Sequence, residues 1–235
     1  MPFVLVHGGG LDSSCWERLV PLLNGAAYAV DLPGRGVRPA DLSRVTVADF
    51  ADAVTREILY RDLTEVVLVG HSLAGITLPR VAARAGARLR RLVFVSCVVP
   101  PHGVSVADVL HTLSPTVAEV AAHIGDDVVG ADGTLHSDLA TAMFCNDMNH
   151  EQRAFTLARL VPEAMGVISE PADLSGLREP VPRTYLRLLQ DASVTPDAQD
   201  QMAANLGNAE IVDLDAGHMA MISRPAELAR ILNAL

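Results

Sequence analysis

One serine, Ser72, follows an apolar run at a spacing suited to nucleophilic catalysis. The run Val66–Val69 is typical of a buried strand, and a helical pattern follows the serine, which therefore stands at a strand–turn–helix apex. Such a turn strains the serine backbone and requires small residues two positions before and two after it. Gly70 and Ala74 occupy those positions, with Gly75 next. The pattern predicts a nucleophile, and an ordinary buried turn with an incidental serine is the alternative.

A serine hydroxyl is a weak nucleophile at neutral pH and needs a neighbouring base. The candidate base is His218, which lies between the last predicted strand and the C-terminal helix. His7 begins the loop after the first strand and His71 flanks Ser72, so neither occupies that position. The other histidines lie in one helical stretch and are interpreted as surface or hydrogen-bonded polar residues: His102, His111, His123, His136 and His150.

The histidine needs an acid that orients its ring, and the chain order serine, acid, histidine places that acid after the penultimate strand. Asp191 follows the strand predicted at Thr184–Leu188 and precedes a helix that begins at Pro196. We therefore expect Asp191 to be the acid. The rival aspartates suit other roles. Asp197 is interpreted as a partner of the helix dipole and Asp31 as a turn residue. Asp213 and Asp215 are close neighbours of His218 in the chain.

The oxyanion formed during acyl transfer needs two preorganised N–H donors. One is expected to be the backbone amide of Leu73, at the start of the helix after the serine. The second is expected from the glycine-rich loop after the first strand, where the amide of Gly9 can closely face a ligand. A dinucleotide-binding loop through Gly8 and Gly10 is the alternative, although Ser13 replaces the third glycine of that pattern.

Apolar strands alternate with helices along most of the chain. The predicted strands are Phe3–Val6, Ala27–Val30, Val66–Val69, Leu92–Val95, Thr184–Leu188 and Glu210–Leu214. The predicted helices between them are Trp16–Leu23, Val47–Tyr60, Leu73–Arg84, Pro196–Asn205 and Pro225–Leu235. This alternation indicates an α/β fold with a mostly parallel, six-stranded sheet that helices cover on both faces.

Residues 100–179 lack a predicted strand and lie between the fourth and fifth strands. Their predicted helices are Val106–Leu113, Val117–Ile124, Ser137–Met143 and Glu151–Leu160. We expect this insertion to form a helical cap over one edge of the sheet. The core would then comprise residues 1–99 and 180–235, and the cap residues 100–179.

The composition excludes several partners and chemistries. The net charge of −10 over 235 residues disfavours nucleic acids and anionic membranes as partners. All 18 basic residues are arginines, which rules out Schiff-base chemistry and a Walker lysine. The 3 dispersed cysteines and the absence of a signal-like N-terminal stretch favour a reducing cytoplasm. The sequence does not separate a monomer from a homodimer.

Several segments together resemble one family: Val4–Gly9, Trp16, Gly70–Gly75, Ala142–Phe144 and His218–Met221. They are similar to the α/β-hydrolase superfamily, and more narrowly to its branch of plant methyl esterases, methylketone synthases and hydroxynitrile lyases. The His-Met-Ala-Met run and the Met-Phe pair resemble the esterase side of that branch. The resemblance implies an α/β-hydrolase fold with Ser72 as nucleophile, His218 as base and Asp191 as acid, without a cofactor or metal.

Hydroxynitrile lyases of this branch carry a lysine after the catalytic histidine and a threonine after the histidine of the first loop. Met219 and Gly8 occupy those positions here, so the cation that would hold the departing cyanide is missing. The expected function is a serine carboxylesterase acting on a small-to-medium, largely apolar ester. A non-hydrolytic enzyme of the same fold (a lyase, decarboxylase or cyclase) and a ligand-binding protein are the alternatives.

Apolar residues in and near the predicted cap are candidates for the substrate pocket, because methionine adapts to irregular shapes. The residues predicted to line it are Met143, Phe144, Met148, Met165 and Met219. The alternative is that most of them form the apolar interior of the cap.

Overall fold

The computed structural model describes residues 1–235 and contains a sheet of six strands. The strands are β1 (Phe3–Val6), β2 (Ala27–Val30), β3 (Val66–His71), β4 (Leu89–Val95), β5 (Arg183–Leu188) and β6 (Ala209–Leu214). Their order across the sheet is β2-β1-β3-β4-β5-β6, and every neighbouring pair is parallel. The predicted α/β sheet is confirmed, and it is parallel throughout.

Both faces of the sheet are covered by apolar side chains. Val4 and Val6 belong to the hydrophobic cluster on one face, whereas Phe3 and Leu5 belong to the cluster on the other. Because successive strand residues point to opposite faces, a strand buried on both sides must be apolar at every position. This requirement explains why β1 appears in the sequence as a short uninterrupted apolar run, whereas the partly exposed strand β6 carries Glu210 and Asp213.

Ten α-helices connect or follow the strands. They are α1 (Val47–Tyr60), α2 (Leu78–Ala85), α3 (Val106–Leu113), α4 (Pro115–Ile124), α5 (Ser137–Phe144), α6 (His150–Leu157), α7 (Gly166–Ser169), α8 (Pro196–Ala204), α9 (Ala220–Ser223) and α10 (Pro225–Leu232). The boundaries of α1 are those predicted, and Thr46 and Asp49 form a reciprocal capping box that defines its start. No helix is long and apolar enough to cross a lipid bilayer.

The helix predicted at Leu73–Arg84 is two pieces, a 3-10 turn at Ser72–Ile76 followed by α2. Gly75 lies in the 3-10 turn, where a Cβ atom would collide with the carbonyl oxygen of Val98. This close approach lets the chain pack tightly against the loop after β4 just beyond Ser72.

The helices α3 to α7 all lie between β4 and β5, in the helical insertion predicted after the fourth strand. Loops that follow β1, β3, β5 and β6 meet at one edge of the sheet, because the carboxyl ends of parallel strands share an edge. These loops carry the predicted glycine loop, nucleophile, acid and base, so the topology gathers residues that are distant in the chain. The division of the chain into a core and a cap domain at residues 100 and 179 stays a prediction.

Candidate active site

Ser72 directly follows β3 and has a backbone φ of 53°. This left-handed conformation is costly for a residue with a side chain and marks a constrained turn. A Cβ atom on Gly70 would lie 2.5 Å from Cδ1 of Leu78 and 3.1 Å from Cβ of Ala74. Small residues on both sides of the serine therefore allow the strand and the following helical turn to cross at this point.

His218 and Asp191 continue a hydrogen-bonded array that begins at Ser72. His218 Nε2 lies 3.0 Å from Ser72 Oγ, and His218 Nδ1 lies 2.7 Å from Asp191 Oδ2. The side chains of His218 and Asp191 are fully buried, so water does not compete for this contact. With Nδ1–H donated to the carboxylate, Nε2 is free to accept the proton of the serine hydroxyl. The structure thus brings together the three residues that chain order predicted.

Ser96 and two backbone amides fix the Asp191 carboxylate. Ser96 Oγ donates to Asp191 Oδ2 at 2.6 Å, the oxygen that also faces His218. The N–H groups of Ser193 and Val194 donate to Oδ1 at 2.7 and 2.9 Å. Ser96 was missed in the sequence, where its signal is only that a polar residue directly follows the apolar strand beside β3.

The rival aspartates bind other partners. Asp213 forms an ion pair with Arg187 at 2.8 Å, and this contact lowers the pKa of Asp213. Asp215 accepts a hydrogen bond from a glutamine side chain at 2.6 Å, and Asp31 accepts two backbone N–H groups at 2.9 and 3.0 Å. Asp197 lies in the first turn of α8. None of them forms a hydrogen bond or ion pair with His218, whose carboxylate partner is Asp191.

Two aromatic rings hold His218 in place. The ring of His71 lies 4.5 Å from that of His218 between centroids, and His71 Nε2 donates to the carbonyl oxygen of His218 at 2.9 Å. Burial lowers the pKa of His71 well below its ordinary value, so His71 is neutral and places no positive charge beside the base. Phe144 stacks on the ring of His218 at a centroid distance of 5.7 Å and an angle of 11°.

The glycine loop after β1 lies against the serine turn. A Cβ atom on Gly8 would be 2.9 Å from Ser72 Cβ, and one on Gly9 would be 3.1 Å from Leu73 Cδ2. The N–H group of Gly10 donates to Glu163 Oε2 at 2.9 Å, whereas that of Gly9 has no acceptor within the chain. The amide of Gly9 therefore remains available to a ligand beside Ser72 and Leu73.

His7 anchors the start of this loop. Its Nδ1–H donates to the carbonyl oxygen of Gly8 at 2.8 Å, and its Nε2 accepts the N–H group of Leu32 at 3.2 Å. Burial lowers the pKa of His7 from its ordinary value of 6.5 to about 4. The neutral ring thus uses both nitrogens to connect the glycine loop to the loop after β2.

Residues 3–231 match the model of the alpha/beta hydrolase family. The chain belongs to this family. In such hydrolases a serine at a strand–helix turn acts with a histidine and an acid that follow it in chain order, which is the arrangement of Ser72, Asp191 and His218.

Relatives of this hydrolase cover nearly its whole length. Carbendazim hydrolyzing esterase from Nocardioides sp. (strain SG-4G) is 30% identical over 99% of this chain and 98% of its own. Methylesterase 17 from Arabidopsis thaliana is 22% identical over 98% and 89%, respectively. An extracellular alpha/beta-hydrolase from a Paenibacillus species has the same fold, with a TM-score of 0.84 at 23% identity and coverage of 99% and 97%. The predicted resemblance to the plant-type methylesterase branch is confirmed.

A cavity of about 490 Å³ opens beside Ser72 in this hydrolase. Gly9, Gly10, Ser72 and Leu73 form its end at the sheet, and residues of the helical insertion form most of its walls. The insertion contributes Val106, Leu110, His111, Leu113, Ser114, Val117, Ala118, Ala121, Val128, Val129, Leu135, Leu139, Met143, Phe144, Glu163, Met165 and Ile168. Mainly aliphatic walls with few polar groups suit a largely apolar ligand.

Of the predicted pocket residues, Met143, Phe144 and Met165 line this cavity, but Met148 and Met219 do not. Met219 is fully buried in the hydrophobic cluster on one face of the sheet. Met148 packs against the same cluster, and its sulfur accepts the hydroxyl group of a threonine of α6 at 3.2 Å. Residue type alone did not distinguish a methionine of the core from one that faces the cavity.

No group of three or more His, Cys, Asp or Glu side chains is placed to hold a metal ion. The three cysteines, Cys15, Cys97 and Cys145, are buried and unpaired. Burial raises the pKa of the Cys97 thiol well above its ordinary value, so it stays protonated and is a poor nucleophile. Ser72, in contrast to these thiols, has its Oγ within hydrogen-bonding distance of a histidine nitrogen.

Proposed function

We propose that this hydrolase is a cofactor-independent serine carboxylesterase for a small-to-medium, largely apolar ester. The observation that carries the proposal is the continuous array from Ser72 through His218 to Asp191 at the end of an apolar cavity. The names of the relatives, carbendazim hydrolyzing esterase and Methylesterase 17, support ester hydrolysis as the reaction.

The proposed reaction has two halves that share one base. Ser72 Oγ attacks the ester carbonyl while His218 Nε2 takes the serine proton, and Asp191 stabilises the resulting imidazolium. The tetrahedral intermediate collapses when the carbon–alkoxy bond breaks, and His218 returns the proton to the departing alcohol. Water then attacks the acyl-enzyme with His218 as base, which releases the carboxylic acid and restores the serine hydroxyl.

The amides of Gly9 and Leu73 are the proposed oxyanion donors. The absence of an acceptor for the Gly9 N–H group, together with the packing of this loop against Leu73, supports the assignment. Two preorganised amides would stabilise the negative charge that develops on the carbonyl oxygen, typically by about 3 kcal/mol per donor.

Residues 100–179 are the proposed cap, and Met143, Phe144 and Met165 are proposed substrate contacts within it. Their place on the cavity wall supports these roles. We also propose a reducing cytoplasmic location, which the three unpaired cysteines favour. The proposed oligomeric state is a monomer or a homodimer. The expected partner is a small-molecule ester rather than a nucleic acid or membrane.

Labelling with a fluorophosphonate, followed by mass mapping of the adduct, tests this proposal. We expect the adduct on Ser72, its loss in Ser72→Ala, and its retention in Ser175→Ala, an exposed serine outside the cavity. His218→Ala should lower the turnover of p-nitrophenyl acetate by on the order of 10³ or more. An adduct on another serine, or ester hydrolysis that survives Ser72→Ala, would refute the mechanism.

A further inference from the structure

Glu163 is the only acidic or arginine side chain that lines the cavity. It belongs to the loop between α6 and α7 and lies beside the glycine loop, because a Cβ atom on Gly9 would be 3.1 Å from its Oε2. A carboxylate in an otherwise mainly aliphatic wall is costly to bury, so its partners and its remaining hydrogen-bonding capacity decide what it does.

The two oxygens of Glu163 are not equally occupied. Oε1 accepts the guanidinium of Arg35 and the N–H group of Ala164, the latter at 2.6 Å. Oε2 accepts only the N–H group of Gly10, at 2.9 Å. A carboxylate oxygen can accept two hydrogen bonds, so Oε2 keeps one acceptor position at the cavity wall.

Arg35 makes this carboxylate compatible with a nearby oxyanion. Its side chain is fully buried, donates to the carbonyl oxygen of Pro33 at 2.8 Å and pairs with Glu163. Although burial lowers the pKa of Arg35 to about 10, the guanidinium remains charged at neutral pH. The pair is therefore neutral as a unit, and the carboxylate does not repel the negative charge of a tetrahedral intermediate as an unpaired one would.

The proposed chemistry determines which part of an ester faces Glu163. His218 must return a proton to the departing alcohol, so the alcohol lies toward His218 Nε2. The carbonyl oxygen would lie at the amides of Gly9 and Leu73, which leaves the acyl group nearest to Glu163 Oε2. A substituent on the α- or β-carbon of that acyl group can then reach the open acceptor position.

We propose that Glu163 is a specificity-determining residue that accepts a hydrogen bond from a hydroxyl or N–H group on the α- or β-carbon of the acyl group. The inference rests on the proposed esterase function and narrows its substrate class to esters of neutral hydroxy or acylamino acids with an apolar remainder. The same oxygen disfavours acyl groups that carry a second carboxylate, because a carboxylate has no hydrogen to donate to Oε2 and the charge of Arg35 is already paired with Glu163.

Matched esters test the proposal through ratios of kcat/KM, in which intrinsic reactivity cancels between enzyme variants. One pair is methyl mandelate and methyl phenylacetate, and a second is methyl 3-hydroxybutyrate and methyl butyrate. In Glu163→Gln we expect the preference for the hydroxy ester to fall by about 10-fold or more in at least one pair, since a hydrogen bond to a charged acceptor is lost. The kcat/KM for monomethyl phenylmalonate should rise relative to that for methyl phenylacetate, because no carboxylate then balances the positive charge of Arg35.

Glu170→Gln is the matched control, because Glu170 directly follows α7 and accepts the N–H group of Val47 at 3.0 Å without lining the cavity. It should leave all three ratios unchanged. If Glu163→Gln does not fold, the double variant Arg35→Met, Glu163→Met replaces the buried pair by apolar residues, a change that proteins often tolerate. The preference for the hydroxy ester should fall in at least one of the two pairs in this variant as well.

Unchanged ratios in the folded Glu163 variants would overturn the inference and leave Glu163 as a residue that only holds the glycine loop. Failure of the wild-type protein to hydrolyse any of the neutral esters, together with no fluorophosphonate adduct on Ser72, would instead overturn the proposed esterase function. The two failures are therefore distinguishable.

Discussion

Acid should destabilise this hydrolase through His7, which connects the glycine loop to the loop after β2. Its side chain is buried, and Nε2 must stay unprotonated to accept the N–H group of Leu32. The folded state holds the pKa of His7 at about 4, whereas an unfolded chain has the ordinary value of 6.5. Between these two values the unfolded state binds a proton that the folded state does not.

The size of the effect follows from this difference. Because the folded-state pKa is the lower one, the contribution of neutral His7 to stability is complete above pH 6.5 and is lost as the pH falls toward 4. At about 1.4 kcal/mol per pKa unit, the full loss is roughly 3 kcal/mol, and about 2 kcal/mol of it is reached at pH 5. His71, whose pKa is also lowered by burial, acts in the same direction.

Urea unfolding between pH 8 and pH 5 measures this loss, with the emission of Trp16 as a probe, because Trp16 is fully buried and is the only tryptophan. His7→Gln removes the titrating group. Between pH 8 and pH 5 the free energy of unfolding of this variant should therefore fall by about 2 kcal/mol less than that of the wild type. His150→Gln, at an exposed position, should follow the wild type. Parallel pH profiles for His7→Gln and the wild type would refute the reasoning.

Two further substitutions test the geometry around Ser72. Ser96→Ala removes a hydrogen bond to Asp191, so kcat should fall by about 3- to 10-fold with KM nearly unchanged, as steady-state kinetics will show. An unchanged kcat would mean that Ser96 does not help to orient the Asp191–His218 pair. Gly8→Ala places a Cβ atom 2.9 Å from Ser72 Cβ, so kcat should fall by at least about 10-fold in a variant that is folded to the same extent as the wild type. An unchanged kcat would show that the glycine loop can move away from Ser72 at no cost to catalysis.

The sheet and the catalytic candidates were predictable because their signals are local. A strand buried on both faces appears as an apolar run such as Phe3–Val6. The start of α1 is defined by a reciprocal capping box between Thr46 and Asp49, which are close together in the chain. Ser72 carries its constraint in its immediate neighbours, since the turn requires small residues at fixed offsets. Chain order then limits the acid and the base to the loops after two late strands.

The groups that support these candidates could not be predicted, because their partners are far away in the chain. Ser96 meets Asp191 across 95 residues, and Arg35 meets Glu163 across 128. Neither contact has a periodicity or a fixed offset that a single sequence displays. Phe144 was assigned to the pocket by residue type, but its stacking on His218 depends on how α5 lies over the sheet.

The cavity walls show most clearly where local reasoning ends. Along α3, Val106, Leu110 and Leu113 follow helical spacing, and along α4 Val117 and Ala121 do the same. That spacing predicts an apolar face, but it does not say whether the face packs against another element or borders an empty volume. Leu110 is 49% exposed, a high fraction for a leucine on the apolar face of a helix. An apolar face left this open beside the array at Ser72 is what a substrate would cover, so the insertion, rather than the sheet, is where the substrate preference of this hydrolase should be altered.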